Sequence, residues 1–121
     1  MSENPKAIAS KSKPTVHCVP PGFERGVGAA MKAGADKYGR FSWRQSPIKM
    51  TDYWNAIRRH LEAWTDGEDF DPETGMHHLY HVAASCAVVT DAIAYDTAID
   101  DRVEQAHELL EWAEVKEAIV K

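Results

Sequence analysis

The run "LYHVAASCAVVTDAIA", residues 79 to 94, is apolar nearly all the way round a helical wheel. It constrains the fold more than any other feature of this chain. A surface helix carries one apolar stripe, whereas a helix apolar on every side must be covered on every side. The run therefore predicts a buried central helix with other elements wrapped around it. No segment gives a convincing strand, so the fold class read from the sequence is all-α.

The chain is long enough for one domain, at 121 residues. Residues 1–21, "MSENPKAIASKSKPTVHCVPP", hold four prolines and no surviving period. They read as a flexible or extended arm. A single helical domain is expected over 22–121. Its first helix starts near Phe23 and stops at Gly39, and the glycines within it imply close packing against a neighbour. The second spans 52–65, capped by Thr51, with Tyr53 or Trp54, Ile57, Leu61 and Trp64 as its stripe and Arg58–Glu62 paired outside. The third is expected to start at an Asp71 cap, with Pro72 at the first helical position, and to run to about Tyr95. Met76, Leu79, Ala83 and Cys86 then face the core. A fourth amphipathic helix is expected from about Asp100 to Lys116. Four helices make a thin core, and two tryptophans on one short helix point to a homodimer or homotetramer.

Charge and composition exclude some classes of function. A net charge of -5 argues against a nucleic-acid polymer or a membrane surface as partner. No leader and no run of about 18 apolar residues is seen, so no membrane span is expected. Cys18 and Cys86 lack short metal-type spacing, and Cys86 in its apolar run predicts a buried free thiol and a cytoplasmic location.

The joint before the central helix is the densest in chemistry. "GEDFDPETGMHHLYH", residues 67–81, puts four carboxylates and three histidines into fifteen positions. His78 and His81, three apart, lie one turn from each other near the helix start. Glu68, Asp69 and Asp71 can fold back over the same end, and His60 approaches from the preceding helix. Metal sites in bundles are commonly built from such side chains on facing helices. The plainer reading makes Asp71 and Glu73 first-turn residues and the histidines hydrogen-bonded structure. A second cluster is "KYGRFSWR", where Lys37, Arg40 and Arg44 interleave with Tyr38, Phe41 and Trp43. Cations hold phosphate oxygens and an aromatic face stacks a base. The plainer reading is a surface loop anchored by one tryptophan.

The order "GADKYGRFSWR", "AIRRHLEAW", "GEDFDPETGMHHLYH" resembles the phage-associated dATP/dGTP diphosphohydrolase N-terminal domain family. The likeness covers roughly residues 28 to 92. Lys37, Tyr38, Gly39, Trp43 and Arg44 match its first motif, Arg59 and His60 the second. Glu68, Asp69, Asp71, Glu73, Gly75, His78 and His81 match the third. Ser42 stands where the pattern has Asn, and Val82 where it has Ala. The resemblance places the chain near the MazG-like all-α pyrophosphatases and implies a four-helix, MazG-like bundle. It also implies hydrolysis of a dNTP to dNMP and pyrophosphate with Mg²⁺ or Mn²⁺.

In that picture Lys37, Tyr38, Trp43, Arg44 and Arg59 bind the nucleotide. His60, Asp71, Glu73, His78 and His81 are the catalytic candidates, and Glu68, Asp69, Asp71, Glu73, His78 and His81 the metal candidates. MazG-like enzymes carry EExxE and ExxD on paired helices, and neither occurs here at the expected places. Either the carboxylates hold the ion, or the histidines suit the site to Mn²⁺ or another transition ion. Two rival functions fit the same residues, a nucleotide-binding protein without turnover and a helical interaction module.

Overall fold

The computed structural model describes residues 4–103. Its elements are helix α1 (Pro5–Ser10), α2 (Pro21–Tyr38), strand β1 (Ile48–Lys49), α3 (Met50–Thr65), α4 (His78–Ala94) and β2 (Ala98–Ile99). Short 3₁₀ turns occupy Val16–Cys18 and Ser42–Arg44. The fold is mostly helical. Helices α2 and α3 both pack against α4, so the apolar run is the central helix. Among the described residues, no helix is long and apolar enough to cross a membrane.

The buried line of α4 is His78, Ala84, Val88 and Ala92. This corrects the expected face: Met76, Leu79 and Ala83 are only half-buried, and Cys86 is exposed. Two helices approach α4 closely where its side chains are small, so its alanines lie under the contact. Larger apolar groups are left at the margins. Ile93 is exposed, as are Trp54 and Trp64 of α3. Among the described residues the buried hydrophobic set is Ala30, Ala84, Val88 and Ala92.

Several starts and stops differ from the sequence reading. Helix α3 begins at Met50 and has no local side-chain cap. The Thr51 N–H instead donates to Asp101 Oδ1 at 3.0 Å, and the Thr51 hydroxyl also bonds that carboxylate. A residue fifty positions away thus replaces the local cap. It is held there by two strands absent from the sequence reading, β1 and β2, paired in parallel with Ile48 opposite Ala98. Two-residue strands carry too little pattern to read. The arm contains α1, nucleated by Asn4 accepting from Lys6 N and by Pro5 in its first turn, and this helix buries no residue. The expected fourth helix does not begin at Asp100: residues 100–103 are not helical, and the remainder of that segment lies outside the described residues. Arg58 and Glu62 do pair on the outer face of α3, at 2.8 Å.

Only one glycine of α2 is a packing device. A Cβ on Gly26 would meet Tyr80 ring atoms at 2.3–2.5 Å, whereas Gly28 has nothing within 4 Å. Tyr80 is itself edge-on to Phe23, with ring centroids 5.9 Å apart, so it has little room to retreat. Overpacking costs about 1–3 kcal/mol, against a helix-propensity gain of up to about 1 kcal/mol. Gly26→Ala is therefore expected to lower the melting temperature by several degrees, while Gly28→Ala maintains or raises it. Thermal unfolding followed by circular dichroism of both variants checks the contrast.

Candidate functional site

The joint between α3 and α4 is a closed loop, and Asp71 does not cap α4. Asp71 N donates to Met76 O at 2.8 Å, Gly75 N to Asp71 O at 2.7 Å and His78 N to Asp69 O at 2.9 Å. Asp71 Oδ1 accepts from Glu73 N, capping its own turn. Gly75 sits at φ +74°, a left-handed conformation that glycine adopts freely and that no helix continues through. Helix α4 therefore starts after it, capped by His77, whose Nδ1 accepts from Leu79 N at 3.0 Å.

This loop aims Asp71 at the histidines. His60 comes from α3 and His78 from the first turn of α4, with their Nδ1 atoms 2.8 Å apart. Asp71 Oδ2 lies 3.7 Å from His60 Nδ1 and 4.0 Å from His81 Nε2. His60, Asp71 and His78 each offer one ligand atom within 4.8 Å of the others, a spacing compatible with a shared cation. His78 is 4 % exposed and its Nε2 is 2.7 Å from Glu68 Oε1. His81 stacks on His60, centroids 4.6 Å apart and planes 10° apart, and its Nε2 lies 2.7 Å from the Thr74 hydroxyl.

Burial pushes the His60 pKa down, helped by His81 and His78, with Asp71 opposing. Burial likewise lowers that of His81, again against the pull of Asp71. Both imidazoles therefore stay neutral near pH 7, able to accept a proton or ligate an ion.

An open cleft of about 360 Å³ adjoins the cluster. Asp71, Glu73, His60 and His81 line it. Lys37, Arg59, Tyr38 and Trp43 line it as well, so most of the expected nucleotide-binding residues share one cavity with the expected catalytic residues other than His78, which is not in its lining. Lys37 Nζ and Glu73 Oε1 are 3.6 Å apart, both well exposed. Tyr53 also lines the cleft, although its sequence position marks it only as a member of an apolar stripe.

Arg44 is placed differently. Its Nε and one terminal nitrogen donate to the two oxygens of Asp91 at 2.8 and 3.0 Å. Its guanidinium lies over Phe41 and Tyr95, 4.2 and 3.9 Å from the ring centroids. Trp43 Nε1 donates to the same carboxylate at 2.6 Å. The Arg44 and Trp43 bonds hold Asp91 below the ordinary carboxylate range. Asp91 thus pins the basic–aromatic loop to α4, leaving Trp43 at the cleft edge. Sequence reasoning missed this role; the one signal was a lone acid in the apolar run. Asp69 contributes its backbone carbonyl to His78, and its side chain makes no part of the cluster.

A model of the family described as "dATP/dGTP diphosphohydrolase, N-terminal" matches residues 3–102. The chain belongs to this family. It is also 28 % identical over 92 residues to a protein of Salmonella phage PMBT28 named dATP/dGTP diphosphohydrolase. That match covers 76 % of this chain and 31 % of the relative, so the chain spans about a third of the relative's length. No solved structure matches.

The lowered histidine pKa values carry a stability consequence. The unfolded chain takes up protons on His60 and His81 near the ordinary value of about 6.5, whereas the folded chain resists until lower pH. The unfolded state then binds more protons, so stability falls as pH drops below about 6.5 and is fully present above it. Chelator-treated protein should melt at a lower temperature at pH 5 than at pH 7.5. His81→Gln should flatten that difference in the same melting series.

Proposed function

We propose that this chain is a metal-dependent (deoxy)nucleoside triphosphate pyrophosphohydrolase that converts a dNTP and water to dNMP and pyrophosphate. The observation that supports it most is the shared cleft, with Lys37 and Arg59 lining the same cavity as Asp71, His60 and His81. Purine preference follows the name of the phage relative. The two cations meet phosphate oxygens, and Tyr38, Trp43 and Tyr53 offer aromatic faces to the base. Mg²⁺ or Mn²⁺, held by the Asp71 and histidine group, would screen phosphate charge and lower the pKa of a bound water. Water attacks the α-phosphorus, the bond from it to the bridging oxygen breaks, and pyrophosphate leaves. His81, kept neutral by burial, can take up the proton that the water gives up. A homodimer or homotetramer in the cytoplasm belongs to the same reading, supported by the exposed Trp54, Trp64 and Ile93 beside a thin core.

A second reading, nucleotide binding without turnover, is favoured by one observation. Neither EExxE nor ExxD occurs at the places on paired helices where MazG-like enzymes carry them.

Incubation with mixed dNTPs and NTPs plus Mg²⁺ or Mn²⁺, with chromatography of every product, separates the two. Monophosphate and pyrophosphate that disappear on chelation are expected. Asp71→Asn should abolish them while nucleotide binding survives. Arg59→Ala should raise KM about tenfold or more, the worth of one charge-assisted hydrogen bond. Nucleotide that co-migrates with the protein without any product would establish the binder. Neither binding nor product would leave a helical interaction module.

A further inference from the structure

Mg²⁺ and Mn²⁺ both serve phosphoryl chemistry, but the donor atoms at the α3–α4 joint are more selective than that. We infer that His60 Nδ1, His78 Nδ1 and Asp71 Oδ2 form a transition-ion centre that discriminates against Mg²⁺, with Glu68 as its positioning residue. The inference deepens the proposed function by naming the ion class, yet the centre can exist without any hydrolysis.

Four observations carry it. The donors are two imidazoles and one carboxylate, from three different segments: α3, the joint loop and α4. Imidazole suits Zn²⁺, Cu²⁺, Ni²⁺ and Fe²⁺, with Co²⁺ between Fe²⁺ and Ni²⁺ in affinity, whereas Mg²⁺ takes oxygen donors and gives up water reluctantly.

The spacing is near that of donors around one ion, with the two histidines closer than the ideal. Donors about 2.1 Å from a common ion stand about 3.4 Å apart in a tetrahedron. Here they lie 2.8 Å (His60–His78) and 3.7 Å (His60–Asp71) apart, and all within 4.8 Å.

Asp71 Oδ2 points at imidazole nitrogens 3.7 and 4.0 Å away, with the carboxylate 15 % exposed. Those separations are too long for hydrogen bonds, and no buried side-chain polar atom among the described residues lacks a partner, so this oxygen is open to the cleft that Asp71 lines. A cation among these groups would satisfy the oxygen directly.

Glu68 supplies the support that a ligating histidine needs. Its Oε1 lies 2.7 Å from His78 Nε2, and accepting that proton leaves the lone pair on Nδ1, the nitrogen that faces His60 and Asp71. A carboxylate behind a ligating imidazole fixes its tautomer and raises its basicity. Three protein donors also leave positions for water or a phosphate oxygen, as catalytic sites require. The competing account is a hydrogen-bonded chain from Glu68 through His78 to His60 with no ion, and it predicts no metal.

The test uses the full chain, stripped with chelator and then titrated with Co²⁺, Mn²⁺, Zn²⁺ and Mg²⁺ separately. One Co²⁺ per chain is expected, with visible ligand-field bands showing mixed nitrogen and oxygen ligation, undisturbed by excess Mg²⁺. His60→Ala and Asp71→Asn should abolish the bands. His78→Ala should do so too, and His60 and Asp71, being less buried, keep the test valid if that variant fails to fold. Glu68→Ala should weaken Co²⁺ binding about 10- to 100-fold, with Glu68→Gln partly restoring it because its amide oxygen can accept the same bond. Glu62→Gln, on the outer face of α3, should leave affinity unchanged. Absence of stoichiometric Co²⁺, displacement by Mg²⁺, or retained bands in the histidine variants would each overturn the centre. Product assays run alongside keep the two readings apart. Bound Co²⁺ without nucleotide hydrolysis sinks the pyrophosphohydrolase and leaves the centre, whereas hydrolysis sustained by Mg²⁺ in protein that binds no Co²⁺ does the reverse.

Discussion

The burial of His78 is the constraint on which the rest of the site depends. Its side chain is 4 % exposed at the first turn of α4, yet it carries two polar nitrogens. A buried polar atom without a partner costs about 1–3 kcal/mol, so both nitrogens must be served. Glu68 faces one at 2.7 Å and His60 Nδ1 the other at 2.8 Å, while the His78 backbone N–H is taken by Asp69 O. One residue thereby fixes the end of α3, the joint loop and the start of α4 relative to each other. The loop cannot swing away without stranding it, and Asp71 is carried to the histidines as a consequence.

Toward the other end of α4, Asp91 has the corresponding role. It accepts from Trp43 and twice from Arg44, so a loop rich in cations and aromatics is fastened to the same central helix. The arrangement divides the cationic residues by task. Arg44 is engaged in holding the loop, its guanidinium between two rings, whereas Lys37 and Arg59 line the cleft. Two polar anchors on one helix thus assemble a cleft in which cations and proton-handling groups share the lining. That is what chemistry on a phosphorylated ligand requires.

Much of this was legible from residue order, for identifiable reasons. The second helix and the central helix announce themselves through periodicity, and Arg58–Glu62 through its spacing of four. His60, His78 and Asp71 could be grouped because a short connection folds α3 back along α4. The start of α4 was not legible because Asp71-Pro72-Glu73 satisfies every local preference of a helix start, and only Gly75 in the left-handed region overrides it. The buried face was obscured because apolar size suggests Leu79 and Cys86, whereas close approach of two helices favours alanine.

By itself, then, the sequence determined the helical class, the central position of the apolar run and the family, because these rest on periodicity and on motifs in order. Tertiary structure decided which groups share a site. It turned Arg44 toward Asp91, replaced a local cap on α3 with Asp101, paired β1 with β2 and brought Asp71 beside His60 and His78. Each of these is a contact between residues far apart in the chain or across a tight loop. Local propensity carries no information about such partners, because the energy that selects them exists only once both have left water together.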